Sequence, residues 1–236
     1  MNDSQDERPI SRRLLALETS GLYGAVAVAD TTGVRHELVL HPPKRTAQAL
    51  APAIERLLSE VEWTAGSVGC IAVTIGPGSF TGLRVGVVTA KTFAYAVGAT
   101  VVGVNTLETI AEGLPSDVDH ATTIIDAQRD ELFSATWRRA DDGTWQVERP
   151  THLVKVVDWL TQLTPDTLLA GGGLEKVLAK LPAEARVAAR ELWTPTASAV
   201  ARLGLRRWNA GETTSVWELM PQYFRLSAAE EKAAQG

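Results

Sequence analysis

Residues 71–104 read IAVTIGPGSFTGLRVGVVTAKTFAYAVGATVVGV, and the punctuation of this stretch decides the fold. An apolar run from Cys70 to Ile75 has the length of a buried strand. Gly76-Pro77-Gly78-Ser79 then reads as a turn. Ser79 or Thr81 can cap the helix that follows, because a side-chain oxygen there accepts one of the free N–H groups at a helix start. The helix is predicted over Phe80 to Val97, with Gly98 as a left-handed C-cap. A second apolar run, Thr100 to Val104, completes a strand–helix–strand unit whose strands are expected to be parallel.

Gly82, Gly86, Ala90, Ala94 and Gly98 recur at every fourth position of that helix and so share one side of it. Glycine inside a helix costs roughly 1 kcal/mol against alanine, so the bare ridge implies close approach of another backbone. Two neighbours are consistent with it, a helix of the same chain or a helix of a partner. The turn itself matches no phosphate loop. Gly82 is followed by Leu83 and Arg84, which leaves out the lysine of a Walker loop. A Rossmann fingerprint fails because the third glycine falls one place late and the next strand ends in Asn105. A hydrolase elbow fails because Pro77 and Thr81 flank Ser79 where glycines are needed.

The 236 residues are 45% apolar, a globular composition. The single Cys70 cannot form an internal disulfide, which fits a reducing compartment. Its place at the head of an apolar strand marks it as a buried, inert thiol. A net charge of −5 without a basic run argues against an unaided RNA-binding surface. No apolar run is long enough for a membrane span. Ser11-Arg12-Arg13-Leu14-Leu15 is too short in its apolar part for a secretion signal. Residues 1–12 are expected to be a disordered polar leader, and the protein to be cytoplasmic.

From the N-terminus, Leu14 to Leu17, Ala25 to Ala29 and Val34 to Leu40 read as three antiparallel strands with a turn at Thr32-Gly33, ended by Pro42-Pro43. Ala47 to Val61 is an amphipathic helix with Leu50, Ile54, Leu57, Leu58 and Val61 on one face. After the strand–helix–strand unit, Thr106 to Gly113 is a short helix capped by Thr106. This order is similar to the ribonuclease-H-like unit of the actin and sugar-kinase superfamily. A hinge is expected at Leu114 to Asp117, and beyond it the pattern partly repeats. The repeat comprises a strand to Asp126, a hairpin about Asp141-Asp142-Gly143, a helix over Val154 to Leu163, a strand at Thr167 to Ala170 and a helix from Leu174 to Leu181. A poor strand at Ala185 to Ala189 and a helix over Ala197 to Ala210 end it. The fold class is therefore α/β, two ribonuclease-H-like lobes with the second reduced. The first lobe is placed at residues 13–113, the second at 114–226 with a returning C-terminal segment, and a frayed tail at 227–236.

Several groups are candidates for chemistry. Glu18, Thr19 and Ser20 form the turn after the first strand, where that superfamily holds phosphate; a hairpin turn without a ligand fits equally well. Asp126 closes a strand and could hold a metal or polarise water, or pair within a solvated turn. Gly171, Gly172 and Gly173 precede a helix and could let a nucleotide lie on the backbone, or could be ordinary loop glycines. The four histidines, His36, His41, His120 and His152, include no pair three or four apart, so no helical metal pair exists. No nucleophile–base–orienter set stands out.

Gly76 to Gly86 (GPGSFTGLRVG) resembles the signature of the TsaB (YeaZ) family of tRNA threonylcarbamoyladenosine biosynthesis proteins. Leu15 to Ser20, Gln48 to Pro52, Gly103 to Glu108, Ile125 to Phe133 and Pro221 to Arg225 resemble further family segments. Two of them depart from the pattern: Glu18 stands where Asp is common, and Arg129 is displaced by one. The resemblance implies a non-catalytic subunit, a degenerate paralogue of the TsaD transferase. That paralogue binds metal through a His-x-x-x-His pair in its first helix, and the matching helix here, Thr46 to Glu60, has no histidine. It further implies pairing with TsaD through the first two helices, with Leu50, Ile54, Gly82, Gly86, Ala90 and Ala94 as interface residues, and a TsaE-type ATPase joining the pair. A bulky residue at Gly86 is then expected to weaken pairing. Homodimerisation is expected when the partner is absent, tRNA is reached only through the complex, and ATP with magnesium belongs to the complex rather than to this chain. Two rivals stand beside this reading. One is an ATPase or small-molecule kinase using Glu18, Thr19, Ser20, Asp126 and Gly171 to Gly173. The other, a glycoprotease, lacks both a metal pair and a nucleophile set.

Overall fold

The protein is described here as a computed structural model covering residues 12–40 and 46–225. The expected leader before Arg12, the Pro42-Pro43 stop and the tail after 226 lie outside the described residues.

The first five-stranded sheet contains β1 (Leu14–Glu18), β2 (Ala25–Asp30), β3 (Gly33–Val39), β4 (Cys70–Gly76) and β5 (Thr100–Asn105) in the order β3-β2-β1-β4-β5. The β1–β2 and β2–β3 pairs are antiparallel, and β4 pairs in parallel with both β1 and β5. The unbroken apolar runs of β1 and β4 follow from burial on both faces, whereas β3 keeps charged residues at the sheet edge. Helix α1 (Thr46–Glu60) and helix α2 (Phe80–Val97) lie on one face, packing on Leu15, Leu17, Ile71 and Val73. The ends of α2 are those expected: the Ser79 hydroxyl accepts from the Gly82 N–H, and Gly98 is left-handed at φ 73°. The cap of α3 (Thr106–Glu112) is corrected by one residue. Asn105, not Thr106, accepts from the N–H groups of Leu107 and Glu108, because Thr106 is already the first helical residue and Asn105 holds the extended position from which a side chain turns back onto those donors.

The second sheet holds β6 (His120–Asp126), β7 (Glu131–Arg139), β8 (Trp145–Lys155), β9 (Leu168–Ala170) and β10 (Arg186–Val187) in the order β10-β9-β6-β7-β8. Strands β6 to β8 are an antiparallel meander, and β9 runs parallel to β6 and β10. Read from β8, this is the same order as in the first sheet, so the two lobes share one topology. The helices between are shorter than expected: α4 spans Val156–Leu160 and α5 Leu174–Val177. The reason for the first is that β8 continues to Lys155 in register with β7 and uses residues expected to be helical.

The lobe boundary also needs correction. Helix α6 (Ala197–Asn209), placed by sequence in the second lobe, packs on the first sheet, on the face opposite α1 and α2. There Ala16, Ala27, Ala29 and Ala72 keep the sheet surface low, and a Cβ at Gly204 would come within 2.4 Å of that of Ala72. Small residues on both sides let helix and sheet approach to a distance that larger side chains forbid. The first lobe is therefore 13–113 together with α6.

Candidate functional site

The turn after β1 is closed by the chain itself. The Glu18 carboxylate, buried in the turn, accepts at Oε1 from the Ser20 N–H (2.8 Å), the Ser20 hydroxyl (2.5 Å) and the Thr74 hydroxyl (3.3 Å). Burial pushes the Glu18 carboxyl up to about 7, against the opposing pull of the Ser20 and Thr74 hydrogen bonds. The Thr74 hydroxyl also accepts from the Thr19 N–H at 3.2 Å, so the first two N–H groups of the turn are already used. Thr19 is fully buried and its hydroxyl has no partner.

Helix α2 seals this turn, and here the expected role of the glycine ridge is corrected. A Cβ at Gly82 would stand 2.1 Å from the Thr19 carbonyl oxygen, and one at Gly86 2.1 Å from the Thr19 hydroxyl. Ala90 and Ala94 continue the same side and are fully buried in the core beneath α2. At Gly82 and Gly86 the ridge thus meets the turn of its own chain, and at Ala90 and Ala94 it is buried in the core that α2 shares with α1 and the sheet, so its folded-state neighbours lie within this chain. Leu50 and Ile54 are likewise spent on the core. None of these six residues has a surface to offer a partner while the lobe stays folded.

In the second lobe Asp126 is met by Lys176 at 2.8 Å and accepts from the Gln128 N–H at 2.8 Å. Gly171, at φ 113°, lies where a Cβ would be 2.1 Å from the Ile124 carbonyl oxygen, and Gly173 packs on the backbone of Ile125 and Asp126. These two glycines serve the close packing of the β9–α5 turn on β6. Of the seven nucleotide candidates, only Ser20 and Asp126 reach the cleft between the lobes, a space of about 1030 Å³. The other lining residues are largely apolar, Phe80, Phe133, Tyr223 and Phe224 among them. The cation there, Arg225, is engaged with Glu131 and the Ala127 carbonyl. A phosphate bound there would need free N–H groups and cations, and of the donors in the turn after β1 the Thr19 and Ser20 N–H groups are already taken. Among the described residues no group of three or more His, Cys, Asp or Glu side chains is placed to hold a metal.

The returning segment 213–225 lies along α2 and joins the lobes. The Thr214 N–H donates to the Val101 carbonyl (2.9 Å), Lys91 donates to the carbonyls of Trp217 and Leu219, and the Gln222 N–H donates to the Ile75 carbonyl (2.7 Å). Arg84 donates to the Tyr223 hydroxyl at 2.9 Å and lies over the Phe80 ring. Phe224 meets Phe133 of the second lobe at 6.1 Å.

What α2 turns outward is a set of residues that sequence reading missed. Val88 is 61% exposed and Tyr95 70%, and Tyr95 stacks edge-on with Trp217, itself 73% exposed beside Met220. The outward side of α1 carries Ala47, Gln48, Ala51, Pro52, Glu55 and Ser59. The seven-residue spacing of Val88 and Tyr95 was the available signal. It was masked because α2 is apolar on nearly every side.

Two matched five-stranded sheets, a first turn closed on its own side chains and a largely apolar cleft define a two-lobed α/β protein of the ribonuclease-H-like kind. The family model of TsaD, tRNA N6-adenosine threonylcarbamoyltransferase, matches residues 41–189, more than half of the chain. The chain belongs to this family, in its TsaB (YeaZ) branch. It is 28% identical over 229 residues to the tRNA threonylcarbamoyladenosine biosynthesis protein TsaB of Bacillus subtilis, covering 93% of this chain and 96% of that protein. The TsaB of Escherichia coli is 27% identical over 227 residues, covering 93% and 97%. The solved structure of YeaZ from Pseudomonas aeruginosa superimposes with a TM-score of 0.77 at 25% identity, over 89% of this chain and 99% of that one.

Proposed function

We propose that this chain is a non-catalytic subunit of the machinery that makes threonylcarbamoyladenosine in tRNA, and that it docks a TsaD-type transferase subunit through the outward faces of α1 and α2. The first part rests on the names of its full-length relatives. The observation that carries the second is the exposure of Val88 and Tyr95 on α2 and of Trp217 and Met220 on the returning segment that lies along it. Large apolar side chains grouped in this way mark an interaction surface, whereas single ones do not. A partner of the same two-helix construction would complete a four-helix contact, and a second copy of this chain would cover the face when that partner is missing. A TsaE-type ATPase joins this pair and brings the ATP and magnesium. With a net charge of −5, tRNA is reached through the complex. The setting of this work is the cytoplasm; among the described residues no helix is long and apolar enough to cross a membrane. An ATPase or kinase reading finds no support in the sealed Glu18 turn.

The test is light scattering after size exclusion on the chain mixed with the TsaD-type paralogue of its own host. A one-to-one complex is expected, and Val88→Glu is expected to abolish it while the thermal melt stays cooperative, because Val88 touches solvent rather than the core. A Val88→Glu chain that pairs like the parent would place the contact elsewhere.

A further inference from the structure

A second cavity, about 300 Å³, lies over the β6–β7–β8 face of the second lobe, beneath α4 and the loop that follows it. It shares no residue with the interlobe cleft. Its size is at the lower end for small-molecule sites. We propose that it binds a small hydroxylated anion, with His152 taking a ligand hydroxyl and Arg149 the negative group.

A bulge in β8 builds the site. Ser134 pairs with His152 and Thr136 with Arg149, so β8 carries two residues, Pro150 and Thr151, opposite the single Ala135. Bulges of this kind re-aim side chains and recur beside binding sites. Here the bulged Pro150 carbonyl lies 2.9 Å from His152 Nδ1. A carbonyl only accepts, so Nδ1 carries the hydrogen and, in the neutral ring, Nε2 presents its lone pair. That Nε2 is buried and has no hydrogen-bond partner. Buried acceptors are rarely left so, and the group that would satisfy this one is a donor entering the pocket.

Arg149 stands at the mouth. Its guanidinium donates to the Gln162 side-chain oxygen, and among the described residues no carboxylate pairs with it. The neighbouring Glu148 is matched by Arg138 at 3.3 Å. The unmatched charge and its fork of donors suit a carboxylate or a phosphate. Between His152 and Arg149 the sheet offers hydroxyls: Thr122 and Thr136 face each other at 3.4 Å, and Ser134 is buried beside them. Hydroxyls donate and accept, so they suit a ligand that carries both functions.

The experiment is ¹⁵N imidazole NMR on the full chain, titrated with D-glycerate, glycerol 3-phosphate and glycerol. A saturable shift of His152 Nε2 with at least one anion, about tenfold tighter than with glycerol, is expected. Glycerate alone, or the phosphate alone, would identify which anionic group the site takes. Arg149→Met, an exposed change that leaves the core intact, should weaken binding about tenfold, and His152→Phe, followed by calorimetry because it removes the NMR probe, should weaken it as well. No saturable shift with either anion would overturn the proposal, as would glycerol binding as tightly as the anions or an unchanged affinity in Arg149→Met.

Discussion

At the scale of single residues, Glu18 is the group with the largest consequence. Its carboxyl titrates near 4.5 in the unfolded chain and at about 7 in the folded one. Below the lower value both states hold the proton. Between the two, the unfolded chain ionises first, so unfolding releases a proton and stability falls as pH rises; above the upper value the loss is complete, on the order of 3 kcal/mol. Glu18→Gln keeps a carbonyl for the donors of Ser20 and Thr74 and carries no charge. Its urea midpoint should exceed the parent's at pH 8 and approach it at pH 4; equal midpoints at both would show that Glu18 is solvated. Gly86 gives the second prediction. Gly86→Ala gains helix propensity yet drives a methyl into the Thr19 hydroxyl, and is expected to destabilise by about 2 kcal/mol. Combining it with Thr19→Ala should return much of that loss, a coupling that additive effects would not produce. The glycine spacing was visible in sequence, but its meaning was not. A bare helix side says that something comes close, and only the folded turn says that it is Thr19.

At the scale of elements, the start and stop of α2 were legible because both signals are local. The Ser79 hydroxyl meets an N–H three residues on, and Gly98 adopts a conformation that other residues avoid. Which side of α2 faces inward was not legible. A helix apolar nearly all round has no preferred face until a sheet is placed beside it, so the sequence leaves the neighbour of the ridge open and does not single out Val88 and Tyr95. The α3 cap shows the same limit on a smaller scale. Asn105 caps two N–H groups and donates to the Thr151 hydroxyl at 3.0 Å, linking the first lobe to β8. Asn105→Ala is expected to cost about 1 kcal/mol or somewhat more, read as a lowered urea midpoint with an unchanged slope. No loss of stability would mean that water caps the helix equally well.

For the whole molecule, the return of α6 decides what folds with what. Without it, Leu14, Ala16, Val102 and Val104 would face water on the uncovered side of the first sheet. A fragment of residues 13–113, the lobe drawn from sequence, is expected to bind a hydrophobic dye and to melt without cooperativity. A sharp melt of that fragment would show that α6 is dispensable. The same fold-back explains why Arg202 and Arg206 meet Glu112 at 3.0 and 2.5 Å, tying the end of the first half to the last helix.

By itself, the sequence determined the two-lobed α/β frame, the parallel pairing of the strands in its βαβ unit, the ends of α2 and the absence of a helical histidine pair. Each of these depends on residues close together in the chain, where hydrogen-bond reach and side-chain period fix the outcome. The tertiary structure alone decided which face of α2 is spent on the core, to which lobe α6 belongs, that the turn after β1 is closed by Gly82 and Gly86, and that His152 and Arg149 share a pocket. Those outcomes depend on contacts between segments far apart in sequence, such as Gly204 on Ala72 and Gly86 on Thr19, where no local pattern records the partner.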